Sequence, residues 1–298
     1  MKQIKLYSIL FFLVQNSFSY CQVKGDNETK LRKQLNLYLT KFANDTSNKK
    51  HAYNIACNYS LLNLKDSAFI FIQKALHNGY VDRWLLHDSD FDNLKNEKEW
   101  KLIKQKMNED FILKNPSVDT SIVFELFKMK YKDQFVRFEF MSLMDKYGFK
   151  STKLDSIKSV TRKIGILNRN KLDSLINKHG WFNKSIVGAN GMKITFLIIQ
   201  HGNNEYKKKY LDCIKYSVDL GEIPKRYFAN FIDRILSADN KKQRYGTELR
   251  LINGKGNKYE LTPVEDENNL NKRRAKMGLE PIEDYLLRNG IEYILPEK

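Results

Sequence analysis

The sequence holds 14 glycines and 5 prolines in 298 residues, too few for an architecture built on tight turns, so helices are expected to dominate. Three cysteines cannot make a disulfide framework. The two outside the N-terminal segment, Cys57 and Cys213, sit in helix-like apolar patterns. A lone cysteine in such a place is usually a small buried hydrophobe, so two thiols are expected rather than one disulfide. No run beyond the N-terminal segment reaches the ~18 apolar residues of a membrane-spanning helix. The chain also lacks a P-loop, a G-x-S-x-G elbow, an HExxH helix and a CxxC pair, so no motif names a reaction, a cofactor or a metal. Histidine is scarce, with five in all. His87 precedes Asp88, Asp90 and Asp92, but this spacing suits turn capping better than a rigid metal site.

What is present begins with apolar content. At 42% hydrophobic and 12% aromatic the chain can bury a core, which excludes a disordered polymer. The first 21 residues read as an export signal: Lys2 and Lys5, an apolar stretch from Leu6 to Val14, then Ser19 and Cys21 at the small-residue positions of a cleavage site. Tyr20 is bulky where lipoprotein processing takes a small residue. Cleavage after Cys21 is therefore the expectation, with a lipid anchor on Cys21 the weaker alternative. The expected address is the periplasm or the exterior.

The net charge is +17, and loss of Lys2 and Lys5 with the leader leaves +15. Only 12 of the 52 basic residues are arginine, whereas bidentate recognition of bases and phosphates favours arginine. That and the export signal argue against nucleic acid and leave an anionic envelope ligand as the electrostatic partner.

Residues 22–115 read as a helical segment. An amphipathic helix over 29–44 comes first. From Ala52 to Leu76 the positions of Ala56, Tyr59, Ala68, Ile72 and Ala75 resemble a tetratricopeptide repeat, in which small residues let two antiparallel helices approach. A single repeat needs neighbours to cover it. The helix before it and a stretch placing Trp84, Leu85, Phe91, Leu94, Trp100 and Ile103 inward would supply them. A protein or peptide partner is the functional expectation for this surface. Asn115-Pro116 marks a boundary, because proline disfavours helix at the preceding residue and suits a new start.

The remainder, 116–298, reads as a mainly helical domain. A long helix is expected over 119–146, with Phe124, Phe127, Tyr131, Phe135, Phe138, Met141 and Leu143 on its apolar face. Asp133 and Arg137, four apart, can pair on one side of it. Further helices are expected over 151–162, 170–178, 190–201, 205–220 and 224–236. A β-hairpin is expected near 245–263 around Asn253-Gly254, followed by two short helices. Lys207-Lys208-Lys209 reads as a solvated helix face, and His179 as a residue at a helix end.

Several short pieces recur in one order: DQFVR at 133–137, Asn170, GW at 180–181, VG at 187–188 and QH at 200–201. DR at 233–234, QRYGT at 243–247, RR at 273–274 and GL at 278–279 follow. Together they resemble an uncharacterised bacterial family, domain of unknown function 6624, over about half of the chain. Glu248 and Asn271 depart from the pattern, where glutamine and aspartate are expected. The resemblance implies an organisation and no known chemistry.

These pieces carry the candidate site. His201 can act as a general base with Asp233 as its orienting partner. Gln200, Arg234, Gln243, Tyr245, Gly246, Thr247, Arg273 and Arg274 are the candidate ligand-binding residues, the arginines anchoring an anion. Asp233-Arg234 can equally be a structural ion pair fixing the hairpin to the helices. The overall expectation is a mainly α protein, a TPR-like prefix followed by a helical domain with one hairpin. Its function would be that of an exported scaffold or binding module. The alternative is an extracytoplasmic hydrolase-like enzyme using His201 and Asp233.

Overall fold

A computed structural model describes residues 28–148, 151–252 and 259–291. The expected leader, 1–21, and the Asn-Gly turn at 253–256 lie outside the described residues. The rest is mainly helical with one two-stranded hairpin, as expected. It forms two compact units that part between Val118 and Asp119.

The first unit opens with α1 (Glu28–Asn44), α2 (Lys49–Leu61) and α3 (Lys65–His77). Asn48 starts α2 by accepting from the amides of Lys50 and His51 at 3.1 Å each, the usual saturation of orphan helix amides. Asn63, at φ +58°, turns the chain between α2 and α3. Ala52, Ala56, Ala68 and Ala75 are fully buried, and their small side chains permit the close packing of this helical pair. Two 3-10 turns follow, Arg83–His87 and Ser89–Leu94, then α4 (Lys98–Lys114). Trp84, Leu85, Phe91, Leu94, Trp100 and Ile103 all point inward. Asp88 caps the second turn through the Asp90 amide at 2.9 Å.

In the second unit, Asp119 caps α5 (Thr120–Tyr147) through the Ser121 and Ile122 amides. Its most buried stripe is not the expected one. It runs through Ile122, Leu126, Met129, Asp133 and Val136, at the three- and four-residue spacing of one helix face. Of the expected aromatic positions only Phe127 and Tyr131 are buried, and Phe124, Phe135, Phe138, Met141 and Leu143 are half-buried.

The helices expected over 151–162 and 170–178 are one, α6 (Asp155–His179). No proline interrupts residues 163–169, and Gly165 is tolerated inside the helix at modest cost. Asn168 ties this middle stretch to α5 by donating to the Met129 carbonyl at 3.0 Å. Next is α7 (Lys184–Gln200), packed on both α5 and α6. Its axis breaks at Gly188, whose φ +68° and ψ 171° are open in practice to glycine alone.

The stretch expected as one helix over 205–220 is two, α8 (Asn204–Lys209) and α9 (Leu211–Asp219), and α10 (Lys225–Ala238) follows. Strands β1 (Leu249–Leu251) and β2 (Tyr259–Leu261) pair antiparallel, with Arg250 opposite Glu260. The short helices α11 (Leu270–Lys276) and α12 (Ile282–Arg288) close a small core of Val264, Leu270, Ile282, Tyr285 and Leu286. Among the described residues no helix is long and apolar enough to cross a membrane. Cys57 and Cys213 form no disulfide.

Candidate functional site

The buried stripe of α5 carries a carboxylate. Asp133 sits among apolar neighbours with 2% of its surface exposed, and an ion there must be paired to persist. Three side chains supply the pairing. Nδ1 of His201, at the end of α7, lies 2.7 Å from Oδ2. Arg137, one turn along α5, donates through Nε to both carboxylate oxygens at 3.1 and 3.0 Å. Gln134 donates to Oδ2 at 2.9 Å. Burial pushes the Asp133 carboxyl up, but His201 and Arg137 outweigh it and hold the group well below the usual carboxylate range.

The histidine responds in the opposite sense. Burial lowers its proton affinity, the Asp133 charge raises it, and Arg137 and Arg234 lower it again. The net direction is down, so at neutral pH the imidazole is uncharged. Asp133 cannot donate once ionised, so the proton between the two lies on Nδ1. This leaves Nε2 as an acceptor, and among the described residues the ring's one hydrogen bond is the one through Nδ1. Gln200, the preceding residue, is 7% exposed, and its Oε1 is buried with no partner.

Arg234 of α10 donates through Nε to Glu248 at 3.0 Å. Lys207 of α8 is half-buried, and burial followed by the nearby Arg234 charge lowers its pKa. Its neighbours differ: Lys208 pairs with Asp239 and Lys209 with Asp173, each at 2.8 Å. Expecting all three lysines as one solvated face misses this distinction.

Asp233 was the expected partner of His201, and the structure employs it elsewhere. It is fully buried, and its Oδ1 accepts from the amides of Arg244 at 2.7 Å and Tyr245 at 3.0 Å. Its Oδ2 accepts from the Thr247 amide and hydroxyl at 3.0 and 2.9 Å. A buried carboxylate is thus the organiser of the 244–247 loop. Gly246, at φ +65°, gives the loop the curvature this requires, and a side chain there would meet Ile282 Cδ1 at 3.1 Å.

The other candidates serve the same loop. The Gln243 amide donates to the carbonyls of Glu248 and Thr262 at 2.9 Å and accepts from the Glu248 amide at 2.7 Å. Arg274, 1% exposed, donates to the carbonyls of Glu280, Tyr245 and Gly246. Arg273 donates to the carbonyls of Arg244, Asp266 and Glu265. Tyr245 lends its amide to Asp233, and burial raises its phenol pKa.

The candidate residues therefore divide into two groups. Of the first group His201 contacts Asp133, Gln200 precedes His201 in the chain, and the charge of Arg234 acts on the His201 ring. Asp233, Gln243, Tyr245, Gly246, Thr247, Arg273 and Arg274 build a loop. The sequence reading passed over Asp133, Gln134, Arg137, Lys207 and Glu248 as site residues. Asp133 was visible as an acidic residue in step with the Ile122, Leu126 and Met129 spacing.

Among the described residues one group could in principle ligate a metal: Cys57, Asp88 and Asp90, whose ligating atoms lie within 4.8 Å of one another. Asp88 is already taken by the Tyr53 hydroxyl, by Trp84 Nε1 at 3.0 Å and by the Asp90 amide. Burial raises its carboxyl pKa, and the arrangement is that of an internal polar network within an aromatic core.

Residues 121–295 match a family of unknown function, DUF6624. No curated protein and no solved structure matches the chain.

Proposed function

The chain belongs to the DUF6624 family, and we propose that its C-terminal domain is an acid–base site in which His201, held by Asp133, moves a proton beside an anchored anion. The observation carrying this reading is the buried pair itself, with Nδ1 of His201 on Asp133 at 2.7 Å and Nε2 without a partner among the described residues. A carboxylate on Nδ1 fixes the tautomer and steadies the imidazolium formed when Nε2 takes a proton. A base kept neutral at pH 7 is in the correct state to accept one. Arg137, on the same carboxylate, and Arg234, whose charge acts on the ring, supply charge complementary to an anionic substrate.

The substrate would give its proton, or that of an attacking water, to Nε2, while the Nδ1 proton stays on the Asp133 side. This is the hydrolase-like alternative with Asp133 in the place first given to Asp233. No group in the cluster is an evident covalent nucleophile, which favours direct attack by water. The N-terminal leader-like residues support export to an extracytoplasmic compartment. The paired helices α2 and α3 support a partner-docking role for the prefix, as in tetratricopeptide modules.

A binding module without catalysis is the second reading, and it is favoured by the loop network around Asp233, where seven candidate residues do structural work. Turnover of nitrophenyl phosphate, sulfate and acetate by the wild type, His201→Asn and Asp133→Asn separates the two. Hydrolysis of one ester, lost in both folded variants, is expected. Equal rates in wild type and variants would remove the acid–base role.

A further inference from the structure

We infer that Arg137 is a positioning residue for His201, acting through the Asp133 carboxylate that both side chains hold. The inference rests on reading His201 as the base, and it names the group that keeps that base in its working state.

The geometry is that of one anion shared between two partners. Oδ2 of Asp133 meets Nδ1 of His201 at 2.7 Å and accepts from Nε of Arg137 at 3.0 Å. Oδ1 accepts from the same Nε at 3.1 Å, and Gln134 adds a neutral donor to Oδ2 at 2.9 Å. With 2% of its surface exposed, a carboxylate stays ionised only beside a cation. Two side chains in contact with it can be that cation, a guanidinium and an imidazolium. The guanidinium carries its charge at every accessible pH. With Arg137 in place the carboxylate is already matched, and the imidazole can remain neutral.

Asp233 is the contrasting case in the same fold. It is as deeply buried, and its donors among the described residues are backbone amides and the Thr247 hydroxyl, with no cation. Burial displaces its carboxyl upward, whereas that of Asp133 is held low.

The charged groups acting most on the His201 ring are Asp133 and Arg137 from α5 and Arg234 from α10. Arg234 is matched in turn by Glu248 at 3.0 Å. Without Arg137, the partner left in contact to neutralise Asp133 is His201, which would do so by taking a second ring proton. A ring in that state has no acceptor at Nε2 and cannot serve as a base. In a carboxylate–histidine pair with no third member, the whole carboxylate charge favours the imidazolium. Arg137 offsets that charge, so the imidazolium formed during proton transfer returns its proton more readily. Such a ring suits a group that accepts a proton and gives it back within one cycle.

Nitrogen-15 spectra of the full chain, labelled at histidine and arginine and followed from neutral to mildly acidic pH, test this role. In the wild type the Arg137 Nε–H resonance should shift at the pH where His201 takes up its proton, because one carboxylate holds both. Arg137→Gln keeps a donor and loses the charge. It should raise the His201 midpoint by about one pH unit or more, which is about tenfold in proton affinity. Arg137→Lys keeps the charge and should lie closer to the wild type than to Arg137→Gln. A midpoint unchanged or lowered in Arg137→Gln would overturn the inference, as would equal midpoints in the two variants. So would an Arg137 resonance unmoved while His201 titrates, a wild-type result that needs no variant to fold. An imidazolium at neutral pH in the wild type defeats the reading of His201 as the base, and this inference with it. A neutral wild-type ring whose midpoint Arg137→Gln leaves in place defeats the role of Arg137 alone, so the two failures are distinguishable.

Discussion

His201 Nδ1 and Asp133 Oδ2 meet at 2.7 Å although 68 positions separate the residues in the chain. The contact links the middle of α5 to the end of α7, both of which are otherwise packed by apolar side chains. Replacing Asp133 with Asn removes the charge that Arg137 and His201 share. A loss of about 1.5–3 kcal/mol, the range for hydrogen bonds to charged groups, is expected in urea unfolding. His201→Asn, which leaves Asp133 still paired with Arg137 and Gln134, should cost less.

The same pair sets a pH dependence. The proton affinity of folded His201 lies below the ordinary value of 6.5. The unfolded chain therefore binds more protons than the folded one just below that pH, and stability falls as pH drops through it. Asp133, also depressed, contributes stability that is present above its unfolded value of 3.8 and lost below it. Unfolding curves at neutral and mildly acidic pH should show the first slope in wild type and not in His201→Asn.

Asp233 is expected to behave as a structural residue. Asp233→Ala strips the partners from the buried amides of the 244–247 loop, and a loss of roughly 3 kcal/mol or more follows from leaving several such donors unmet. Near-ultraviolet circular dichroism and urea unfolding would register it. The conservative Asp233→Asn should recover part of the loss and leave the His201–Asp133 contact unchanged.

Gly188 and Gly246 tolerate no side chain at their backbone angles. Alanine at either position should cost about 1–3 kcal/mol through strain, with the larger effect at Gly246 because Ile282 stands close to the position of the new methyl. Thermal melting of the two single variants is the check.

In the first unit, Tyr53→Phe removes a hydroxyl donor from the buried Asp88. An expected loss of about 1–3 kcal/mol follows from the carboxylate's missing partner, measured in the full chain.

Much of the fold was legible because its signals are local. The alanines of α2 and α3, the caps at Asp88 and the alternation of the hairpin all act over a few residues, and the elements stand near their expected places. The split of 155–179 failed for the same reason: the polar run around Asn168 looks like a break until its contact with Met129 is known. The site was legible only in part. His201, Gln200 and Arg234 could be picked out, and the helical pair of Asp133 and Arg137 was anticipated, but their joining spans 68 residues. Asp233 shares with His201 a place among the ordered polar pieces, and its burial beneath a loop of amides leaves no trace in composition or spacing.

The central claim is that His201 is a neutral base oriented by Asp133, and long-range proton–nitrogen correlation spectra of imidazole-labelled protein at neutral pH test it most directly. The account expects a single neutral tautomer protonated at Nδ1, with Nε2 unprotonated, and loss of that tautomer's dominance in Asp133→Asn. An imidazolium at neutral pH, or a neutral ring protonated at Nε2 in the wild type, would contradict it.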